Sequence, residues 1–401
     1  MATVFGTAGE DLIKSGAGDR LENFGLHDKI EINNREFHVH TGALIENRKV
    51  ISEVFEKGMF LISREYQIDL RTERRQISYE FLNEVTERFH QSVMEELAAL
   101  YLIEEKLERY RHPKSHYHLG VLFLKRNLFR EAIKQFKVAL EQDNTFNQAY
   151  LGLGISYLKS RQFYSALETF RQALAQGDKY PDFLNYFGLT YLFLEDYDHA
   201  TSLFKESARI NPNYVEAQFN MGVALYKSAL EGAKDASAVA VPARVSIYLK
   251  QVRDLSKYRV PHWQREFNSL LELLKENNHT QIIPQLENFQ LRLVDLAADR
   301  YKIYEFYLRF LFGGNEFSLE TIRKYEEFFY QNEEEQGQYP DFWNNLGTFN
   351  LVKSRGLYLK AMSEFEKALT LAPQFEDARL NLERTRSHEK GFLILLRAIL
   401  K

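Results

Sequence analysis

His38 and His40 alternate along a β-branched run, so on an extended strand both side chains leave the same face. Two imidazoles on one face could ligate a metal or act as a catalytic pair. Phe37 and Val39 take the opposite, apolar face, and the histidines therefore read as a pair on the solvent side. A second group, His112, His116 and His118, has two members one helical turn apart, a spacing that can chelate a divalent ion. Pro113 breaks the helix between them and no carboxylate joins the group locally, so it reads as a solvated or partner-contacting cluster. Gly152-Leu153-Gly154 has the opening letters of a dinucleotide fingerprint, but it lacks the third glycine, follows no strand and lies in a helical pattern. Three consecutive acids, Glu333 to Glu335, read as a solvated turn.

Other chemistry-bearing motifs are missing. The sequence has no Walker lysine loop, no His-Glu-x-x-His and no Gly-x-Ser-x-Gly. It has no cysteine, which removes disulfides, thiolate ligands and cysteine nucleophiles together. No catalytic residue, metal or cofactor is expected, and the chain reads as a non-enzyme. The formal net charge of −4 over 401 residues lacks the basic excess that phosphate neutralisation needs, so no nucleic-acid partner is expected. Glu10 and Asp11 stand where a secretory leader carries positive charge, and no stretch approaches the ~20 apolar residues that span a bilayer. A cytoplasmic location without a membrane span is the expectation.

The elements that would position any site fall into blocks. Residues 1–75 read as a small β-rich domain: Lys29 to Ile32, Glu36 to His40, and a hairpin of Val50 to Phe55 and Met59 to Ser63 turning at Glu56-Lys57-Gly58, with Asn33-Asn34 as a further turn. A long amphipathic helix over residues 76–112 places Ile77, Phe81, Val85, Phe89, Val93, Leu97, Leu100, Ile103 and Leu107 on one face. Residues 228–298 read as a divergent helical insert with three helical patterns. Residues 299–390 read as a helix pair turning at Gly313-Gly314-Asn315, a further copy with a turn near Ser354 to Gly356, and a following polar helix. Residues 391–401 form an apolar capping helix interrupted by Arg397.

Between these blocks, over residues 113–227, four glycines recur at a spacing of 34 residues: Gly120, Gly154, Gly188 and Gly222. The same register places Ala132, Ala166 and Ala200, and the bulky Phe136, Phe170 and Phe204, at fixed offsets in three ungapped copies, with a fourth begun at residue 215. A gapped fifth copy places Gly347 and Ala361 in the same roles. In period and signature the chain resembles the tetratricopeptide repeat family. The resemblance implies a mainly α, right-handed helix–turn–helix superhelix behind the β-rich domain.

It also implies a concave groove lined by the first helix of each hairpin. Carried over, the ligand-facing positions are Tyr117, Val121 and Lys125, then Leu151, Ile155 and Lys159, then Asn185, Tyr186 and Leu189, then Phe219, Asn220 and Val223, with Asn344 and Asn345 in the last copy. A carboxylate clamp would need lysine or arginine with asparagine where this chain has Tyr117, Val121, Leu151 and Ile155, so none is expected. The implied function is a protein–protein interaction scaffold or adaptor that binds a peptide or protein along this groove. Two alternatives stand beside it: an enzyme or sensor with its site in the β-rich domain, and a self-assembling homo-oligomer. Some apolar groove positions could instead pack on the long helix or on the chain's own insert.

Overall fold

The computed structural model describes residues 3–6, 25–32, 35–44, 49–68, 79–177, 179–235, 238–259, 261–276, 278–296, 301–312, 319–331, 333, 337 and 340–400. The predicted turns at Asn33-Asn34 and Gly313-Gly314-Asn315 lie outside them, as do Ile77, Glu334 and Glu335. The chain divides into two compact units: residues 1–128 with 299–401, and residues 129–298. The cut falls between the two helices of the first predicted repeat.

The first unit opens with a five-stranded antiparallel meander in which every strand pairs with its sequence neighbour. Its strands are β1 (Thr3–Gly6), β2 (Gly25–Ile32), β3 (Arg35–Leu44), β4 (Lys49–Glu56) and β5 (Met59–Gln67). The turn between β4 and β5 rests on Lys57 and Gly58, at φ 50° and 76°. Positive φ at both central residues is what a tight hairpin needs to match the right-handed twist of its strands. On β3 the alternation is clean: Phe37, Val39, Thr41 and Ala43 are buried, while His38 and His40 on the other face are half-buried.

Helix α1 (Tyr79–Leu107) covers the buried face. Ala43, Val50 and Ile68 pack with Leu82, and Phe81, Val85 and Phe89 close the edge of this cluster. Farther along α1, Tyr101 lies 4.9 Å from the Phe37 ring and 5.6 Å from Phe123 of α2 (Pro113–Lys125). The second core of this unit joins α12 (Tyr301–Phe312), α13 (Leu319–Gln331) and α14 (Pro340–Leu371) through Phe306, Tyr325, Phe329, Phe342 and Phe349. The last helix, α15, runs Glu376–Leu400.

One buried cation ties α1, α2 and α12 together. Arg126, 4% exposed, donates to Glu96 at 2.5 Å, to Glu305 at 3.0 Å and to the Leu122 carbonyl at 3.1 Å. Burial opposes ionisation of Glu305, but the Arg126 and Arg309 guanidiniums outweigh it and hold the carboxyl below its usual range.

The second unit is a run of helix hairpins: α3 (Phe129–Gln142), α4 (Asn147–Lys159), α5 (Phe163–Ala175), α6 (Pro181–Phe193), α7 (Tyr197–Ile210), α8 (Val215–Glu231) and α9 (Ala243–Arg253). It continues through a single 3-10 turn at Ser256–Tyr258 into α10 (Pro261–Leu273) and α11 (His279–Leu293). Two glycines of the ladder, Gly154 and Gly188, are required sterically, whereas a Cβ at Gly222 would meet nothing nearer than Arg244 Cγ at 3.5 Å. A Cβ at Gly154 would lie 2.5 Å from the Phe170 ring, and one at Gly188 would lie 2.7 Å from Phe204. Gly152 repeats the arrangement against Phe136 at 2.5 Å, so both glycines of the Gly-Leu-Gly sequence are packing residues. The three phenylalanines are fully buried, as are Ala132, Ala166 and Ala200 beside them.

The C-terminal copy departs from expectation. No turn forms at Ser354 to Gly356; α14 runs unbroken for 32 residues and carries both Gly347 and Ala361 on one helix. A single interior glycine costs a helix only about 1 kcal/mol, and the flanking leucine, lysine, alanine and glutamate residues are good helix formers. Lys353 pairs with Glu326, and Arg355 lies over the Phe310 ring, which anchors the stretch where the turn was expected. Among the described residues nothing beyond its own helix lies within 4 Å of a Cβ built at Gly347, so it shares the letter of the ladder without its steric cause. Likewise α15 passes through residues 390 and 391 without the expected break.

Candidate functional site

The predicted groove residues divide between the two units. In the second unit they are not open to solvent. Ile155, Leu189, Phe219 and Val223 are buried, as are Asn185, Tyr186 and Asn220, while Leu151 and Lys159 are half-buried.

What covers them is the chain itself. Lys159 Nζ donates to the Val294 carbonyl at 2.9 Å, and the Tyr186 hydroxyl donates to the next carbonyl, Asp295, at 2.6 Å. Asn220 donates to Asn185 Oδ1 at 2.9 Å and accepts from Gln290 Nε2 at 2.8 Å, which makes a ladder from α6 through α8 to α11. Lys227 pairs with Glu287 at 2.5 Å, and Tyr226 meets His279 at the start of α11. Burial drives the Tyr186 phenol far above its ordinary range, so it stays a neutral donor to the Asp295 carbonyl. A helix followed by a short extended segment, residues 279–296, thus occupies the ligand-facing positions of α4, α6 and α8.

In the first unit Tyr117 and Val121 are buried and Lys125 is half-buried. Here α12 lies against α2: the Tyr304 ring stacks on His118 at 4.0 Å and meets Tyr117 edge-on at 6.3 Å. Asn345, half-buried, accepts from the Tyr307 hydroxyl at 3.1 Å, and Asn344 is exposed.

The histidines at the entry of α2 separate into different roles. His112 shares a 2.6 Å hydrogen bond with Ser115, His116 is buried, and His118 stacks on Tyr304. Burial, with help from His112 and Lys114, pushes the His118 pKa down to about 3. Its folded pKa therefore lies below the unfolded value. As pH falls from 6.5 towards 3 the unfolded chain takes up a proton that the folded chain refuses, and stability held above pH 6.5 is lost across that window. The loss is expected to be about 2 kcal/mol, less than the full shift because the ring is only half-buried. Thermal unfolding of wild type and His118→Gln between pH 7 and 4 checks it: the variant should show the shallower slope.

A second polar cluster lies under the sheet. Asp28 Oδ2 accepts from His90 Nε2 at 3.0 Å, His90 Nδ1 meets Thr41 Oγ1 at 2.7 Å, and Thr41 shares a 2.8 Å bond with Ser52. Carboxylate, imidazole and hydroxyl stand in the order of a nucleophile triad, but Thr41 and His90 are at most 3% exposed. The hydroxyl is sealed beneath α1, and the set stitches that helix to β2, β3 and β4.

The histidine pair of β3 gains a member that alternation could not supply. His27 of β2 is the register partner of His40, and its ring lies 4.1 Å from that of His40. Among the described residues, His27, His38 and His40 are the group of three whose potential ligand atoms lie close together, all within 4.8 Å. Also among the described residues, no helix is long and apolar enough to cross a membrane.

Residues 151–215 match the tetratricopeptide repeat family. Among solved structures, YrrB, described as a tetratricopeptide repeat protein with an unusual peptide-binding site, is 19% identical. It is matched over 47% of this chain and 92% of its own, with a TM-score of 0.30. MamA is 18% identical over 46% of this chain and 100% of its own, with a TM-score of 0.34. PilF of Pseudomonas aeruginosa is 17% identical over 58% and 95%, with a TM-score of 0.32. No curated protein matches the sequence.

Proposed function

We propose, on the premise that this chain carries tetratricopeptide repeats, that it is a non-enzymatic protein-interaction scaffold whose repeat groove accepts a helix with an extended tail. The supporting observation is the occupant already seated there, held by Lys159 and Tyr186 through two consecutive main-chain carbonyls. Main-chain recognition is indifferent to side-chain identity, so a partner peptide of the same shape satisfies the same donors. The groove residues, Leu151 to Val223 of the second unit, are the binding set, and residues 279–296 are the competitor. A tethered segment acts at millimolar effective concentration, so it sets a threshold that a partner must exceed. Cytoplasmic location and the lack of a nucleic-acid partner belong to the same reading, whereas self-assembly into a homo-oligomer is its rival.

The test changes the occupant and leaves the groove intact. Glu287→Ala with Gln290→Ala removes the partners of Lys227 and Asn220. A labelled peptide spanning residues 279–296 is expected to bind this double variant at least 10-fold more tightly than wild type in fluorescence polarisation, and exchange of amides 279–296 is expected to accelerate. Equal binding to both proteins, or none to a variant that still unfolds cooperatively, would refute the groove reading.

A further inference from the structure

We propose that His27, His38 and His40 form a binding site for a divalent transition metal of the Zn2+ class on the outer face of the N-terminal sheet. The three side chains leave one face of two paired strands: His27 sits directly across from His40, and His38 follows two residues before His40 on β3. Their potential ligand atoms lie within 4.8 Å of one another, and one pair, His27 Nε2 and His38 Nδ1, is 3.2 Å apart. A tetrahedral ion with bonds of about 2.0–2.1 Å to nitrogen separates two ligands by about 3.3–3.4 Å. That pair already stands at ligand spacing.

A second, independent feature is the carboxylate behind the ring. Glu36 Oε1 lies 2.7 Å from His38 Nε2. It fixes the proton on Nε2 and leaves the Nδ1 lone pair directed at the cluster. Histidines that hold a metal are commonly oriented in this way by a carboxylate. The neighbouring cation does not compete, because Lys29, the register partner of His38, is held by Glu31 and Glu36, each at 2.8 Å. On the other side Phe55 meets the His40 ring edge-on at 5.2 Å and walls the cluster. Three nitrogens from the protein leave the fourth position to a solvent molecule on the exposed side, where His27 lies.

The full chain, stripped with chelator, is titrated with Zn2+ by calorimetry and with Co2+ by visible absorption. One Zn2+ per chain is expected, with Co2+ giving the intense bands of a four- or five-coordinate nitrogen site. His27→Ala, at an exposed position, is expected to weaken Zn2+ binding at least 100-fold with its metal-free unfolding midpoint unchanged. Glu36→Gln is expected to weaken binding about 10- to 100-fold. His112→Ala should leave it as in wild type. No stoichiometric binding to wild type, binding that survives His27→Ala, or loss confined to His112→Ala would each overturn the site. None of these outcomes depends on the groove, so this proposal and the scaffold reading fail separately.

Discussion

Replacing Arg126 with methionine is expected to destabilise the unit containing the sheet by about 2–3 kcal/mol, because two half-buried carboxylates lose their shared cation and are left with Arg64 and Arg309. Glu96 and Glu305 approach one guanidinium from helices far apart in sequence, and Arg126 is 4% exposed. The lost attraction is the smaller part of the effect; the larger is the desolvated charge that remains. Arg126→Lys should fall between, since a single ammonium keeps the charge but cannot fork between two acids and the Leu122 carbonyl. Urea unfolding measures both variants, and hydrogen exchange in α1 and α12 assigns the loss. A methionine variant within about 1 kcal/mol of wild type would show that desolvation cancels the ion pairs.

Two glycine substitutions should have opposite signs although the same signature assigns both positions. Gly154→Ala is expected to cost the repeat unit about 2 kcal/mol, after the gain in helix propensity, because its methyl meets a phenylalanine ring that has no room to retreat. Phe170 is fully buried and packs on Phe183 and Phe187. Gly347→Ala, with open space around it, is expected to stabilise the long helix by up to about 1 kcal/mol. Denaturant midpoints of the two variants decide it. A stabilising Gly154→Ala would mean that the Phe170 ring moves at little cost.

These contrasts mark what was legible in the sequence. Gly154, Gly188, Phe170 and Phe204 were readable because their constraint is local: a ring and a missing Cβ recur at fixed offsets, and sterics tie one to the other. The hairpin at Lys57-Gly58 was readable for the same reason. Gly347 was misleading because a letter in register does not carry the crossing that gives it meaning. Occupation of the groove by residues 279–296 depends on contacts such as Tyr186 to Asp295, which bridge 109 positions and leave no periodic trace. His27 was missed because strand alternation relates residues within a strand, whereas its relation to His40 is set by the register between β2 and β3. The recurring Gly, Ala and Phe positions thus revealed the repeats, while the occupant of the groove and the third histidine emerged only from pairings between distant segments.

The order of the two units along the chain has a consequence for synthesis. The Arg126 guanidinium must wait for Glu305, 179 residues later, and the whole second unit, Phe129–Ala298, is made in between. At the usual rate of translation that interval is roughly 10–30 s. The meander can zip strand by strand as it leaves the ribosome, but the α2 surface that α12 will cover stays bare for the interval. A nascent chain paused there offers the Tyr117 and His118 rings to whatever chaperone is at hand. The repeats, complete in themselves, can meanwhile close over their own helix.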